Sequence, residues 1–271
     1  MMIYNGDKIE NHEIQYYYDS IFQKLTNRIN GFHFHNDDSL YWANAMFQKF
    51  KIQFYSVMQL TYKMTRNPNN QYEYLDIASI NSIIRSCFET FLIFEYIYTQ
   101  PSSAHEKKLR LLLYQYHGYK DARRMIDKKS EQYKEYSEVC NDLKTSILNM
   151  SCFSTLPEKK RSDLLFDSWK PSWNQIVAGT KFSTLMGKDE YGKMSWHVHN
   201  TFAALNNVDY YYRHLDEYDF DAINLQLYMV ASHFIQSMLL QFEITIDLFS
   251  EDELGIISEF LLLSTKESME H

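Results

Sequence analysis

The sequence predicts an all-α fold, a bundle-like single domain of about eight to ten helices. Apolar residues recur three and four positions apart along almost the whole chain, and no sustained run alternates between apolar and polar. Only 7 Gly and 4 Pro occur among 271 residues, so turns are few and the elements between them are long. With 22 Tyr and 18 Phe, a chain of this length has enough apolar surface to bury a sizeable core.

The N-terminal part predicts two helices, at 9–29 and 39–65. The first ends at the Gly- and Asn-containing stretch NGFHFHNDD (30–38), and the second ends at RNPNNQ (66–71). Asn, Gly and Pro in such clusters favour turns over helix.

The middle of the chain predicts a central buried helix at about 74–99, because this stretch is the most apolar and ends at QPSS (100–103). Shorter polar breaks separate the helices that follow, and no linker rich in Gly, Pro or Ser divides the chain, so residues 1–271 are predicted to form one domain. The later helices are predicted at 103–128, 130–149, 157–168, 172–179, 187–207, 220–249 and 254–264.

Charge and cysteine usage narrow the class of protein. The net charge of −8 makes the average surface repel nucleic acid and anionic lipid. The three cysteines, Cys87, Cys140 and Cys152, show no metal-binding spacing and are interpreted as reduced thiols of a cytoplasmic protein. The N-terminus has no signal-peptide pattern, and charged residues interrupt both long apolar stretches, so no membrane partner is expected.

One segment departs from the acidic average. Between His105 and Lys129 eight Lys and Arg stand against three Asp and Glu. A local basic patch of this kind is the usual electrostatic footprint of nucleic-acid binding. The residues that we expect to contact nucleic acid there are Lys107, Lys120, Arg123 and Arg124.

A first candidate site is the pair Arg85 and Glu89 in the predicted central helix. On a helical wheel these residues form a polar stripe beside an apolar face. Two interpretations of this pair stay open. The i,i+4 spacing suits a structural ion pair at the margin of the core, and the same two groups suit a catalytic site.

A second candidate site lies in YGKMSWHVHNTF (191–202). In a helix Tyr191, Ser195 and His199 share one face, whereas His197 lies almost opposite, which excludes a chelate of the two histidines. Ser195 and His199 are therefore candidate catalytic residues. The alternative is a core histidine that only satisfies its hydrogen bonds.

A third candidate site lies in RLLLYQYHGYKDARR (110–124). Arg110 and His117 are seven positions apart and share a helix face, about 10 Å from each other along the axis. An imidazole that takes a 2′-hydroxyl proton and a guanidinium that holds the phosphate would suit metal-free RNA cleavage. The alternative is a solvated basic face.

Part of the chain, about 75–205, resembles a bacterial family of helical proteins of unknown function. The resemblance is carried by IIRSCFETFLIFEYIYTQP, EKKLRLLLYQYHGYKDARRM, WKPSWNQIVAGTKFS and the Y-x3-S-x3-H pattern of Tyr191, Ser195 and His199. That family is distantly similar to the HEPN superfamily of helical, usually dimeric proteins. Many HEPN proteins are metal-independent ribonucleases in toxin and antiphage systems.

The HEPN resemblance implies an Arg, a polar residue, a gap and then a His. Arg110 and His117 match the gap at its upper limit, but Leu111 follows the arginine where a polar residue is typical. The other assignment places the site at Arg85, Glu89, Ser195 and His199.

These observations leave three functions open. The first is a ribonuclease of bacterial defence that acts on RNA without a metal or other cofactor, and the superfamily resemblance adds a homodimer. The second is a non-enzymatic helical module that binds a neighbour-encoded protein partner. The third is a small-ligand sensor, which only the aromatic content suggests.

Overall fold

The computed structural model describes residues 2–4, 7–34, 39–65, 76–182, 191–192, 194–195, 201–213 and 220–265. It confirms the all-α class. The described helices are α1 (Asn11–Asn30), α2 (Ser39–Thr65), α3 (Ile77–Phe94), α4 (Ala104–Arg124), α5 (Glu131–Leu148), α6 (Ser151–Ser154), α7 (Glu158–Phe166), α8 (Trp173–Ala178), α9 (Phe202–Arg213), α10 (Phe220–Gln241) and α11 (Glu251–Ser264).

Four short elements accompany the α-helices. Strands β1 (Met2–Tyr4) and β2 (Asp7–Ile9) form an antiparallel hairpin in which Met2 pairs with Ile9. A π-helical turn occupies Glu95–Thr99, and a 3-10 turn occupies Ile246–Leu248. The hairpin was not predicted, because strands of three residues are too short to show an alternating pattern.

The contacts within the chain divide it into two compact units. Unit 1 comprises Met1–Phe94 and Val177–His271, and unit 2 comprises Glu95–Ile176. Both boundaries fall inside helical segments and not in a linker. Composition therefore does not mark them, and the prediction of one domain stays a prediction.

Unit 1 has an aromatic core that joins α1, α2, α10 and α11. Tyr18 is fully buried, its ring stacks on Tyr228 at 4.9 Å, and its hydroxyl lies 2.6 Å from the hydroxyl of Ser232. Phe54 and Phe260 pack on the same ring. Aromatic pairs in this arrangement add to the stabilisation from buried area.

Helix α3 packs against α2 and α10, and α9 also contacts it. Its buried residues include the whole apolar face expected from the helical wheel: Ile77, Ile80, Ile84, Cys87, Phe88 and Phe91. The main neighbours of α3 therefore all belong to unit 1.

Unit 2 is built mainly on the packing of α4 against α5, with α6 and α7 beside α4. Its separate apolar cluster consists of Leu109, Leu113, Tyr116, Cys140, Ile147, Phe153 and Leu165. A second core of this kind explains why the unit is compact by its own contacts.

Two predicted helix boundaries were wrong because local caps intervene. A continuous helix over 187–207 was expected, but Thr201 is not helical and starts α9: its hydroxyl accepts from the amide of Ala204 at 3.2 Å. The predicted helix 220–249 ends at Gln241, because Glu243 adopts a left-handed conformation (φ 51°) and the Ile244 amide donates to the Leu239 carbonyl.

One described stretch, Ile77–Thr99, is long and apolar enough to cross a membrane by length and composition alone. Half of its most apolar window is buried inside the protein. Because a core helix of a folded domain meets the same criteria, this stretch is weak evidence for a membrane span.

Candidate functional site

Arg85 and Glu89 form an ion pair on the polar stripe of α3. The Arg85 Nε donates to the Glu89 Oε1 at 3.0 Å. Their side chains are 15% and 30% exposed, which places the pair at the margin of the core as the helical wheel predicts. A pair in this position is shielded from water more than an ordinary surface pair.

Tyr191 completes a three-membered polar cluster, which we call the Arg85 cluster (Arg85, Glu89 and Tyr191). The Arg85 Nη2 donates to the Tyr191 hydroxyl at 3.0 Å, and that hydroxyl donates to the Glu89 Oε1 at 2.8 Å. The guanidinium carbon also lies 4.9 Å from the centre of the Tyr191 ring. Each group therefore fixes the position of the other two.

The electrostatics of the Arg85 cluster hold the guanidinium charged. Burial acts to lower the pKa of Arg85, but the hydrogen bond to Tyr191 and the charge of Glu89 outweigh it, so the pKa is raised. Burial raises the pKa of Tyr191, and the hydrogen bond to Glu89 raises it further. Tyr191 is thus held as a neutral phenol, which suits a hydrogen-bond donor and not a base.

One atom of the Arg85 cluster has no acceptor in the part of the chain that the structure describes. The Arg85 Nη1 is buried, and no described residue accepts a hydrogen bond from it. A buried N–H group without an acceptor costs roughly 1–3 kcal/mol, and more when the group is charged. Such an N–H group is suited to donate a hydrogen bond to an oxygen atom of a ligand or of water.

Ser195 lies one helical turn after Tyr191. Its hydroxyl donates to the Tyr191 backbone carbonyl at 2.7 Å, so its proton is already engaged. His199, the predicted partner of Ser195, lies outside the described residues. The structure therefore brings Arg85 and Glu89 to the helical segment that contains Ser195, with Tyr191 as the contact.

A small apolar pocket lies on the same part of unit 1. Two of its lining residues, Ile84 and Phe88, flank Arg85 on α3, and Met194 precedes Ser195. The pocket is completed by Phe182, Gln226, Met229 and Val230. Its apolar lining places low-dielectric surroundings close to the cluster.

Arg110, from the alternative site, binds to groups of unit 2. Its Nη1 donates to the Tyr96 carbonyl and its Nη2 donates to Glu106, both at 2.5 Å. In the π turn the amide that would normally reach the Tyr96 carbonyl belongs to Pro101, which has no N–H. Arg110 supplies the missing donor, and its guanidinium also lies 4.1 Å from the centre of the Tyr96 ring.

His117 points to a different partner. Its Nε2 lies 2.7 Å from the Leu164 carbonyl, and Lys120 donates to the carbonyls of Leu165 and Phe166 at 3.2 and 3.4 Å. These carbonyls belong to the last turn of α7, where helices leave acceptors unpaired. Burial lowers the pKa of His117. Arg110 and His117 thus share a helix without sharing a partner.

The other residues that were predicted to contact nucleic acid differ in their exposure and in their partners. Lys107 lies 5.7 Å from the Tyr98 ring centre, and burial lowers its pKa. Arg123 packs over the Tyr133 ring at 5.7 Å and reaches the Ser137 hydroxyl at 3.4 Å. Arg124 is exposed and pairs with Asp121 at 2.9 Å. The basic segment is therefore partly a set of structural contacts.

Sequence reasoning placed Tyr191 on the inward face but gave it no role. The signal for it was the Y-x3-S-x3-H spacing, which puts Tyr191 one turn before Ser195. Its contact with α3 joins residues 106 positions apart in the sequence, and no local pattern reports such a contact.

Comparison with known proteins adds no assignment. No family model, curated protein or solved structure matches the chain. The HEPN resemblance stays a prediction. Within the described residues, no group of three or more His, Cys, Asp and Glu side chains is arranged to hold a metal ion.

Proposed function

We propose that the Arg85 cluster is the active site of a metal-independent, HEPN-like ribonuclease that acts as a cytoplasmic effector of bacterial defence. Two observations support this proposal. The cluster unites the polar stripe of α3 with the segment that contains Ser195, and the buried Arg85 Nη1 has no acceptor among the described residues. The second observation carries the proposal, because a phosphate oxygen is one of the acceptors that a guanidinium N–H binds most strongly.

The contacts of Arg85, Glu89 and Tyr191 support their roles, and the role of His199 comes from the sequence. Arg85 would bind a non-bridging oxygen of the scissile phosphate and stabilise the negative charge that develops there. Glu89 and Tyr191 would hold the guanidinium in place through its Nε and Nη2. His199 is assigned as the base: it takes the 2′-hydroxyl proton, and the 2′-oxygen attacks phosphorus to form a 2′,3′-cyclic phosphate. The bond from phosphorus to the 5′-oxygen breaks, and this oxygen takes a proton from water and leaves as a 5′-hydroxyl.

Access to the Nη1 requires a small rearrangement, since this atom is buried in the chain without substrate. Catalytic hydrogen bonds are often incomplete in free enzymes and tighten when substrate binds. Described residues bond only two of the three guanidinium nitrogens, so a shift about the Nε contact would present the third.

The test is RNA cleavage by the purified full chain. We expect wild type to cleave, and Arg85→Lys and His199→Ala to lose about a hundredfold of the rate or more. Arg213→Lys is the matched control, because Arg213 forms an exposed i,i+4 pair with Asp209 on α9. Loss of melting temperature without loss of activity per folded molecule would contradict the proposal.

A second function, a non-enzymatic module that binds a neighbour-encoded protein, is favoured because the three side chains of the Arg85 cluster bond to one another. The Glu89 Oε1 accepts from both partners and the Tyr191 hydroxyl donates once and accepts once, as in a structural network. Under this proposal wild type cleaves no RNA, all three cluster residues affect only stability, and the neighbour-encoded protein is retained by the immobilised chain.

Homodimer formation is part of the first proposal. Helix α10 is apolar, but it buries most of its described apolar side chains inside unit 1, among them Met229, Phe234 and Met238. The support for a dimer is therefore the superfamily resemblance alone. Light scattering of the full chain measures it directly.

A further inference from the structure

We propose that the exposed ring of Phe166 in unit 2, with Lys120 and Lys144 beside it, is a stacking site for a base of single-stranded RNA. This inference rests on the proposed function in taking RNA as the polymer. It concerns a different unit and different residues, and it predicts binding and not cleavage.

Phe166 is the last residue of α7 and is 58% exposed. The Nζ atoms of Lys120 and Lys144 both lie 5.8 Å from its ring centre. Ammonium groups within about 6 Å of an aromatic ring are attracted to it, so the ring is held in place while much of it faces water. A ring of this kind is already ordered before a base stacks on it.

The two lysines are oriented by different means. Lys120 is anchored, since it donates to the carbonyls of Leu165 and Phe166 at the end of α7. Lys144 on α5 forms no ion pair or hydrogen bond with the described residues. Lys144 is therefore the charge that a phosphate next to the stacked base would meet.

The charge of unit 2 favours a polyanion. Residues 95–176 contain 14 Lys and Arg and 11 Asp and Glu, a net charge of +3 in a chain whose net charge is −8. The exposed carboxylates nearest in sequence to Phe166 are Asp163 and Asp167, and neither pairs with Lys120 or Lys144. A negative polymer is thus attracted to this unit and repelled by the rest of the chain.

Charge alone would also suit an acidic peptide. The exposed ring favours nucleic acid, because every unpaired base has an aromatic face that stacks on it, whereas the Asp and Glu side chains of an acidic peptide have none. A duplex hides its base faces, so the site selects single strands.

The experiment measures fluorescence anisotropy of a labelled oligouridine with the full chain. We expect Phe166→Ala to weaken binding about 5- to 150-fold and Phe166→Trp to keep it, because stacking depends on an aromatic face. Lys144→Ala should lower the slope of log affinity against log salt by about 0.7. The controls are Leu148→Ala, an exposed apolar residue of α5, and Lys134→Ala, an exposed lysine paired with Glu131.

Several results would overturn the stacking site. They are unchanged binding by Phe166→Ala, equal binding of an RNA duplex, or equal binding of polyglutamate. The outcomes also separate the two proposals. Binding that depends on Phe166 without any cleavage keeps the stacking site and removes the ribonuclease, whereas cleavage that depends on Arg85 with binding independent of Phe166 does the reverse.

Discussion

Replacing Glu89 with Gln tests whether the Arg85 cluster is shielded from water. The change keeps the shape of the side chain but removes the charge that balances the guanidinium. Breaking a fully buried pair costs about 3–5 kcal/mol, and an exposed i,i+4 pair is worth only about 0.3–0.5 kcal/mol. With side chains 15% and 30% exposed, the cluster lies between these limits, and we expect a loss of about 2 kcal/mol.

A loss of this size lowers the melting temperature of a chain of this length by roughly 4–8 °C, measured by circular dichroism or calorimetry. Asp209→Asn is the matched control, because the Arg213–Asp209 pair has the same spacing and a similar distance of 3.1 Å but is 68% and 58% exposed. We expect a shift of less than about 2 °C for that control. If Glu89→Gln shifts the melting temperature no more than Asp209→Asn, the cluster is not shielded and the reasoning about its unsatisfied nitrogen fails.

Two further predictions concern buried polar groups in unit 1. His233 is buried, bonds the Ser264 hydroxyl at 2.8 Å, and has its pKa lowered to about 4, mainly by burial and also by Lys181. Because the unfolded chain takes up this proton near pH 6.5, stability falls as pH drops from about 6.5 to 4. The free energy of unfolding of the His233→Gln variant should therefore fall by roughly 3 kcal/mol less than that of wild type between pH 6.5 and 4, measured by urea titration at a series of pH values. An unchanged pH dependence would contradict the assignment. Asn224 is 1% exposed, and neither of its amide atoms has a partner within the described ranges. Asn224→Leu should therefore leave the urea midpoint unchanged or raise it, since an unpaired buried amide costs about 1–3 kcal/mol, whereas a clear loss of stability would mean that the amide has an acceptor.

The helices were predictable where their signals are local. The bounds of α2 agree with the predicted 39–65, because breaker residues directly precede and directly follow the apolar-periodic stretch in the sequence. The end of α10 was not predictable in the same way. Glutamate rarely adopts a left-handed conformation, so the residue type at Glu243 does not predict that the helix ends there.

The basic segment shows which contacts cannot be predicted from residue type alone. The count of Lys and Arg predicted a charged face, but the same residues also serve as hydrogen-bond donors for carbonyls. Arg110 binds the Tyr96 carbonyl that Pro101 leaves free, and His117 and Lys120 bind the end of α7. The residue type gives the charge of a hydrogen-bond donor, but the position of its acceptor depends on the tertiary structure.

The sequence was sufficient for the helical class, the buried face of α3 and the pairing of Arg85 with Glu89, because periodicity and i,i+4 spacing are properties of neighbouring residues. Tertiary structure alone placed Tyr191 on that pair and Lys144 beside Phe166. It also divided the contacts into two units. These features depend on how helices pack over long sequence separations, and packing is decided by the combined shape of many side chains and not by a local pattern.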